Sequence, residues 1–301
     1  MSFPYVTDVI NHLFGTHWNL PLPTFGIIVA IAVVVAAAVA TRMVREYERV
    51  GKLPLGSHTA ITDMVLVATL AGIVGARVFD ILDNFDRFVA DPLAMILTRS
   101  GFSIYGGLCF GVLAGIAFVK RRSIPVVAML DATAPALMLG YGIGRLGCQV
   151  AGDGDWGVPA SLLLKPHWLP QWLWAQTYDG NIAGVIIASP GVYPTPLYEI
   201  AMALVIFWIL WLLRSQQHRA GYLFSLYLLF AGFERLLIEK IRINTRYDVF
   251  GFHITQAEAI SVLLVIAGLA GVLAALRTHR LWPKVLVSIG VLAALSACAP
   301  R

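Results

Sequence analysis

Seven predominantly apolar stretches, each near bilayer-crossing length, alternate along this chain with shorter polar connections. They fall at about 24–42, 60–82, 102–119, 126–150, 195–213, 221–242 and 255–276, against the roughly 20 apolar residues that a spanning helix needs. The pattern predicts an all-α membrane protein, a seven-transmembrane-helix bundle. The longest polar segment, 151–194, separates the fourth stretch from the fifth and predicts a small external head. Its Trp156, Trp168, Trp172 and Trp174 suit either rings held at headgroup depth or the aromatic core of a folded cap. Residues 84–101 are too polar to span and too apolar for a free loop, which predicts a short amphipathic element on the outer surface. Residues 1–22 lack the basic start and small-residue cleavage site of a signal peptide and are expected at the membrane surface.

Composition sharpens this reading. Of 301 residues, 58% are hydrophobic and 13% charged, which excludes an ordinary soluble domain. The net charge of +5 is too modest to support nucleic-acid binding, but its placement is informative. Alternate connections carry Arg42, Arg45, Arg49 and Lys52, then Lys120, Arg121 and Arg122, then Arg214 and Arg219, then Arg277, Arg280 and Lys284. These connections are expected in the cytoplasm, which puts the N-terminus and the 151–194 head outside. The three cysteines, Cys109, Cys148 and Cys298, have no spacing that predicts a disulfide framework or a zinc site. No metal and no cofactor is expected. Gly142-Ile-Gly-Arg-Leu-Gly147 formally matches GxGxxG, yet an apolar helix leads in and a polar loop follows, so the dinucleotide reading lacks its strand and is set aside.

The charges inside the apolar stretches carry the candidate chemistry. Arg145 lies near the outer end of the fourth stretch, where an arginine costs several kcal/mol unless it meets a wet cavity or an anion. Gly140, Gly142, Gly144 and Gly147 strip one helix surface beside it and allow close backbone approach. In the sixth stretch Arg235, Glu239 and Arg242 recur at i, i+4 and i+7, predicting one charged helical face at the same depth. Three guanidiniums converging there would suit a phosphate, which arginine grips bidentately. Arg77 and Asp80 are expected to form a local ion pair, Asp131 to cap or pack, and Glu199 to sit one turn into the fifth helix, where its charge complements the helix dipole.

The motifs that carry these residues resemble, in order and spacing, those of the bacterial prolipoprotein diacylglyceryl transferase family. They are Ile104-Tyr-Gly-Gly107, Gly144-Arg-Leu-Gly147 with Gly152-Asp and Trp156-Gly157, Pro194-Thr-Pro-Leu-Tyr-Glu199 and Arg235-Leu-Leu-Ile-Glu-Lys-Ile-Arg242. Gly75-Ala-Arg-Val-Phe79, Phe88-Val-Ala-Asp-Pro92 and Thr255-Gln-Ala-Glu-Ala-Ile-Ser261 agree as well. The resemblance covers about 20–276. It implies a multi-pass enzyme of the bacterial inner membrane that moves diacylglyceryl from phosphatidylglycerol to the lipobox cysteine of a preprolipoprotein, releasing glycerol phosphate. Carried across, Arg145, Arg235, Tyr105, Glu239 and Asp153 are the expected catalytic residues. Arg145, Arg235, Arg242, Gly106, Gly107, Cys148, Gly157, Tyr198 and Glu199 are expected to bind substrate, the partners being phosphatidylglycerol, lipoprotein signal peptides and membrane lipid. Departures are Tyr105 in place of a histidine, Cys148 in place of an asparagine, and Phe25 and Ala231 in place of tyrosines. They leave an alternative, a weakened relative that binds phospholipid or signal peptide without transfer. A transporter would predict paired repeats and midplane charges, and neither is found.

The expected organisation is a transferase domain over 1–280, with 151–194 inserted as the head, and an apolar tail over 281–301. That tail, Val285-Leu-Val-Ser-Ile-Gly-Val-Leu-Ala-Ala-Leu-Ser-Ala-Cys298 after Lys284, reads either as a short eighth helix or as a lipobox-like signal segment in which Cys298 is lipidated.

Overall fold

In a computed structural model, residues 1–97, 103–215, 219–244, 246–249 and 252–276 are described. The chain is mostly helical: α1 (Val6–Phe14), α2 (Thr24–Arg49), α3 (Ala60–Asp83), α4 (Phe85–Ala90), α5 (Pro92–Leu97), α6 (Ile104–Arg121), α7 (Val126–Ala151), α8 (Gln171–Trp174), α9 (Thr195–Leu213), α10 (Tyr222–Glu239) and α11 (Gln256–Leu276). One antiparallel hairpin joins α10 to α11, pairing β1 (Arg246–Val249) with β2 (Phe252–Thr255). Among the described residues, six helical stretches are long and apolar enough to cross a membrane, namely α2, Ser57–Asp83 around α3, α6, α7, α9 and α11. The helix expected in the sixth apolar stretch is present as α10, but Glu234, Arg235 and Glu239 make it more polar than the other six. Of the 84–101 stretch, residues 85–97 form the short helices α4 and α5, and 98–101 lie outside the described residues. Cys298 and the tail 281–301 lie outside the described residues.

The chain divides into two compact units, Met1–Ala32 with Leu137–Arg301, and Val33–Ala136. In the second unit α3 and α6 pack antiparallel along facing small residues. A Cβ on Gly72 would sit 3.2 Å from the Gly107 carbonyl oxygen, and one on Gly111 would sit 3.2 Å from that of Ala68. Gly106 is tighter still, its position for a Cβ lying against the Gly75 carbonyl and Phe79. Close backbone approach, rather than side-chain interdigitation, therefore holds this pair, as small residues allow where lipid offers no hydrophobic drive. Gly106→Ala is expected to pry the helices apart and to destabilise the protein by about 1–3 kcal/mol, read as a lowered unfolding temperature in detergent. At the same end Arg77 pairs with Asp80 at 3.3 Å, as expected from their spacing.

In the first unit the polar segment 151–194 closes on a small core of Trp156, Tyr178 and Val192, with the Trp156 and Tyr178 rings 5.1 Å apart. Of the head's tryptophans, Trp156 is buried in this core, whereas Trp168 and Trp172 are 80% and 59% exposed. On the same unit α1 is strongly amphipathic and leaves Leu13 and Phe14 exposed, in keeping with a surface position.

Candidate functional site

The charged residues of the first unit meet around one carboxylate. Glu199, in the first turns of α9, is completely buried. Its Oε1 lies 3.2 Å from Nη2 of Arg145 on α7, 3.3 Å from Nη1 of Arg235 on α10 and 3.4 Å from Nη1 of Arg242. Small residues permit this: a Cβ on Gly142 would stand 3.1 Å from that of Ala203, so α7 and α9 can run close enough for their side chains to touch. Tyr141, one turn before Arg145, donates its hydroxyl to the same Oε1 at 3.0 Å, and the Arg145 guanidinium lies over the Tyr141 ring. Oε2 of Glu199 is buried and has no hydrogen-bond partner among the described residues.

Two further carboxylates pair with the arginines. Asp155 pairs with Arg145 through one oxygen and with Arg242 through the other. Glu239 pairs with Arg235 at 3.3 Å, one turn along α10, and accepts hydrogen bonds of 2.6 Å from Thr255 Oγ1 and Asn244 Nδ2. Glu234, also buried on α10, places its Oε1 and Oε2 3.2 and 3.4 Å from the Tyr141 hydroxyl.

The sequence pattern set Arg242 on the same helical face as Arg235 and Glu239, and the structure corrects this. Helix α10 ends at Glu239, with Lys240 as its cap, and Arg242 arrives from the turn beyond. Backbone pairing with the head aims it: Gly157 and Arg242 form an antiparallel bridge, and the Val158 amide donates to the Ile241 carbonyl at 2.8 Å. Only glycine fits at 157, because a Cβ there would lie 2.5 Å from the Ile241 carbonyl oxygen. Thr195 ties the other side of the head down by donating to the Asp155 carbonyl at 2.6 Å.

Of the other residues singled out, Cys148 is buried with its Sγ 3.9 Å from Arg145 Nη1. Asp153 makes none of the described ion pairs and accepts instead from the Asp155 amide at 3.2 Å. The Tyr198 hydroxyl donates to the Leu173 carbonyl at 2.7 Å, bracing the head. Tyr105, Gly106 and Gly107 belong to the second unit, at the start of α6, where Tyr105 is 40% exposed and both glycines face α3. Sequence reading passed over Tyr141, Asp155 and Glu234. Glu234 carried a usable signal, a carboxylate within an apolar run. Cys148, Asp153 and Asp155 offer three donor atoms within 4.8 Å of one another. A cation there would compete with the guanidiniums of Arg145 and Arg242 for Asp155, and their charge opposes it.

Burial alone would raise the Asp155 carboxyl pKa, but the Arg242 and Arg145 guanidiniums outweigh it and hold the group below the ordinary aspartate range. A depressed native pKa stabilises the fold fully above the unfolded value, about 3.9, and that contribution disappears as pH falls toward the native pKa. The unfolding temperature is therefore expected to drop below about pH 4, and Asp155→Asn should flatten that part of the profile.

The chain is similar to known proteins over most of its length. The family model described as prolipoprotein diacylglyceryl transferase matches residues 12–274. Curated relatives named phosphatidylglycerol–prolipoprotein diacylglyceryl transferase include one from Corynebacterium diphtheriae, 32% identical over 274 residues, covering 87% of this chain and 92% of its own. Another, from Bacillus cytotoxicus, is 31% identical over 247 residues, with 81% and 84% coverage. The Leptospira interrogans relative is 26% identical over 331 residues, with 93% and 96% coverage.

Proposed function

Because this chain belongs to the prolipoprotein diacylglyceryl transferase family, we propose that it transfers diacylglyceryl from phosphatidylglycerol to the cysteine thiol of a preprolipoprotein lipobox, and that the arginine cluster is where the lipid phosphate is held. The observation that carries this reading is the meeting of Arg145, Arg235 and Arg242 within ion-pairing distance of a single atom, Glu199 Oε1. Each guanidinium presents several N–H donors in a planar fork matched to phosphate oxygens. In the reaction the lipobox sulfur forms a bond to the glyceryl carbon, and the bond from that carbon to the phosphate oxygen breaks. A phosphodiester with one negative charge becomes a monoester that accumulates a second. Cations that touch it gain strength as that charge grows, which is the condition for lowering the barrier rather than merely binding substrate. Asp155 lies on guanidiniums that the phosphate would use, and at 30% exposure its side chain is the most accessible carboxylate of the ion-paired set, so it is the group that yields to the incoming headgroup.

Charge placement supports the setting. With basic connections inside, the N-terminus and the 151–194 head face the periplasm of a bacterial inner membrane and the arginines lie at the outer leaflet. Helix α10 is read as a seventh crossing helix, since its Glu234 and Glu239 are buried against protein rather than turned to lipid. Residues 1–280 form the transferase domain. Cys148, beside Arg145, is a candidate wall of the phosphate site.

The test is a defined assay: purified protein in vesicles containing phosphatidylglycerol, a lipobox peptide, and mass spectrometry for the diacylglyceryl thioether. Product with phosphatidylglycerol and none with phosphatidylcholine is the expected result. Lipid binding without product would replace the transferase by a binding protein.

A further inference from the structure

A tyrosine hydroxyl has one proton to give, yet the Tyr141 hydroxyl lies within hydrogen-bond distance of two buried carboxylates, Glu199 at 3.0 Å and Glu234 at 3.2 Å. It donates to one of them; the other contact is a hydrogen bond only if that carboxyl itself carries a proton. Charge counting leads to the same place. Among the described residues, three guanidiniums, of Arg145, Arg235 and Arg242, share the site with four carboxyls that pair with them or with Tyr141, those of Asp155, Glu199, Glu234 and Glu239. A buried cluster with an excess carboxylate lowers its energy by taking up a proton. Glu199 has three guanidiniums on Oε1, whereas among the described residues no guanidinium lies within ion-pairing distance of Glu234. The groups facing Glu234 are Tyr141 and Arg145 from α7, Glu199 from α9, and Arg235 and Tyr227 on its own helix.

We infer that Glu234 is a proton-carrying residue of the transfer reaction, acting through Tyr141. At rest the chain of donors runs from the Glu234 carboxyl to the Tyr141 oxygen and from the Tyr141 hydroxyl to Glu199 Oε1. As the carbon–oxygen bond of the lipid breaks, the departing phosphate oxygen takes the Tyr141 proton and Tyr141 recovers one from Glu234. The thiol proton of the attacking cysteine then reloads the Glu234–Tyr141 pair, so the net change is one proton moved from sulfur to the glycerol phosphate that leaves. This supplies a proton path within the first unit, and it rests on the transferase reading above. Glu234, which reaches the reacting atoms only through Tyr141, is a positioning and proton-storing residue; Tyr141 is the one that touches the phosphate.

The experiment compares wild type, Glu234→Gln and Tyr141→Phe in the vesicle assay, across pH, with kcat and KM for phosphatidylglycerol measured separately. Thioether formation by wild type is the control on the transferase reading, and its absence refutes that reading and leaves nothing for Glu234 to serve. Given an active wild type, both variants are expected to lose about 10²-fold in kcat, to keep KM within about threefold, and to lose one ionisation from the pH profile. Infrared spectra should contain a neutral-carboxyl carbonyl band that disappears in Glu234→Gln. If Glu234→Gln fails to fold, Tyr141→Phe, which removes a single oxygen, decides the matter alone. Near-wild-type kcat with an unchanged pH profile in either folded variant overturns the inference, and so does loss confined to KM.

Discussion

Arg145→Ala is expected to cut thioether formation by roughly 10³-fold, the scale seen when a single preorganised donor to a developing oxyanion is removed. Arg145 contacts Glu199 and Asp155 at once and lies over the Tyr141 ring, so its guanidinium plane is fixed before any lipid arrives. Fixed donors lose no orientation as charge builds on phosphate, and alanine leaves Arg235 and Arg242 to hold the headgroup without the fork from α7. Arg145→Lys should recover only a small part of the rate, because an ammonium is a point charge that cannot bridge two oxygens in one plane. Rates of diacylglyceryl transfer to a lipobox peptide, at saturating and limiting phosphatidylglycerol, measure this directly. Turnover within about tenfold of wild type for Arg145→Ala, well short of that scale, would remove the arginine from the phosphate site.

The second large effect belongs to Glu199. Its carboxylate is buried, touches three guanidiniums and accepts from Tyr141. Glu199→Ala leaves those cations facing one another across a cavity. Breaking a buried ion pair by removing one partner typically costs about 3–5 kcal/mol, a large share of the total stability of most domains. The expected outcome is a protein that inserts into the membrane but unfolds at a markedly lower temperature in detergent and has no transferase activity. Glu199→Gln keeps the shape and an acceptor oxygen and should lose less stability, while still losing activity. Wild-type unfolding temperature in Glu199→Ala would mean that the arginines do not depend on this carboxylate.

How legible this arrangement was in the sequence differs from residue to residue, for physical reasons. Helix existence was carried by apolar run length, and the observed helices lie within a few residues of the stretches read from the chain, except that α2 continues past its apolar run through a charged stretch to Arg49. The convergence of Arg145 and Arg235 was readable because each is an ion in a helix that otherwise avoids ions. Arg242 was assigned to the right neighbourhood by the wrong element: a 3.6-residue period extends a helical face past the residue where backbone pairing with the head takes over. Asp155 could not be separated from Asp153 by pattern, since both are acidic in the same Gly-rich turn, and only the tethering of that turn by Thr195 selects between them. The Tyr141–Glu234 contact joins residues on different helices and leaves no local period for sequence reading to detect.

The bridge between Gly157 and Arg242 sets an order on the making of this protein. Arg242 takes its place only after the chain beyond α10 has been synthesised and has returned to zip against a loop made much earlier. A nascent chain halted before that point can thread six helices into the bilayer and still hold an incomplete ring of positive charge around Glu199. Completion of the proposed phosphate site is thus expected to be a late event of biogenesis.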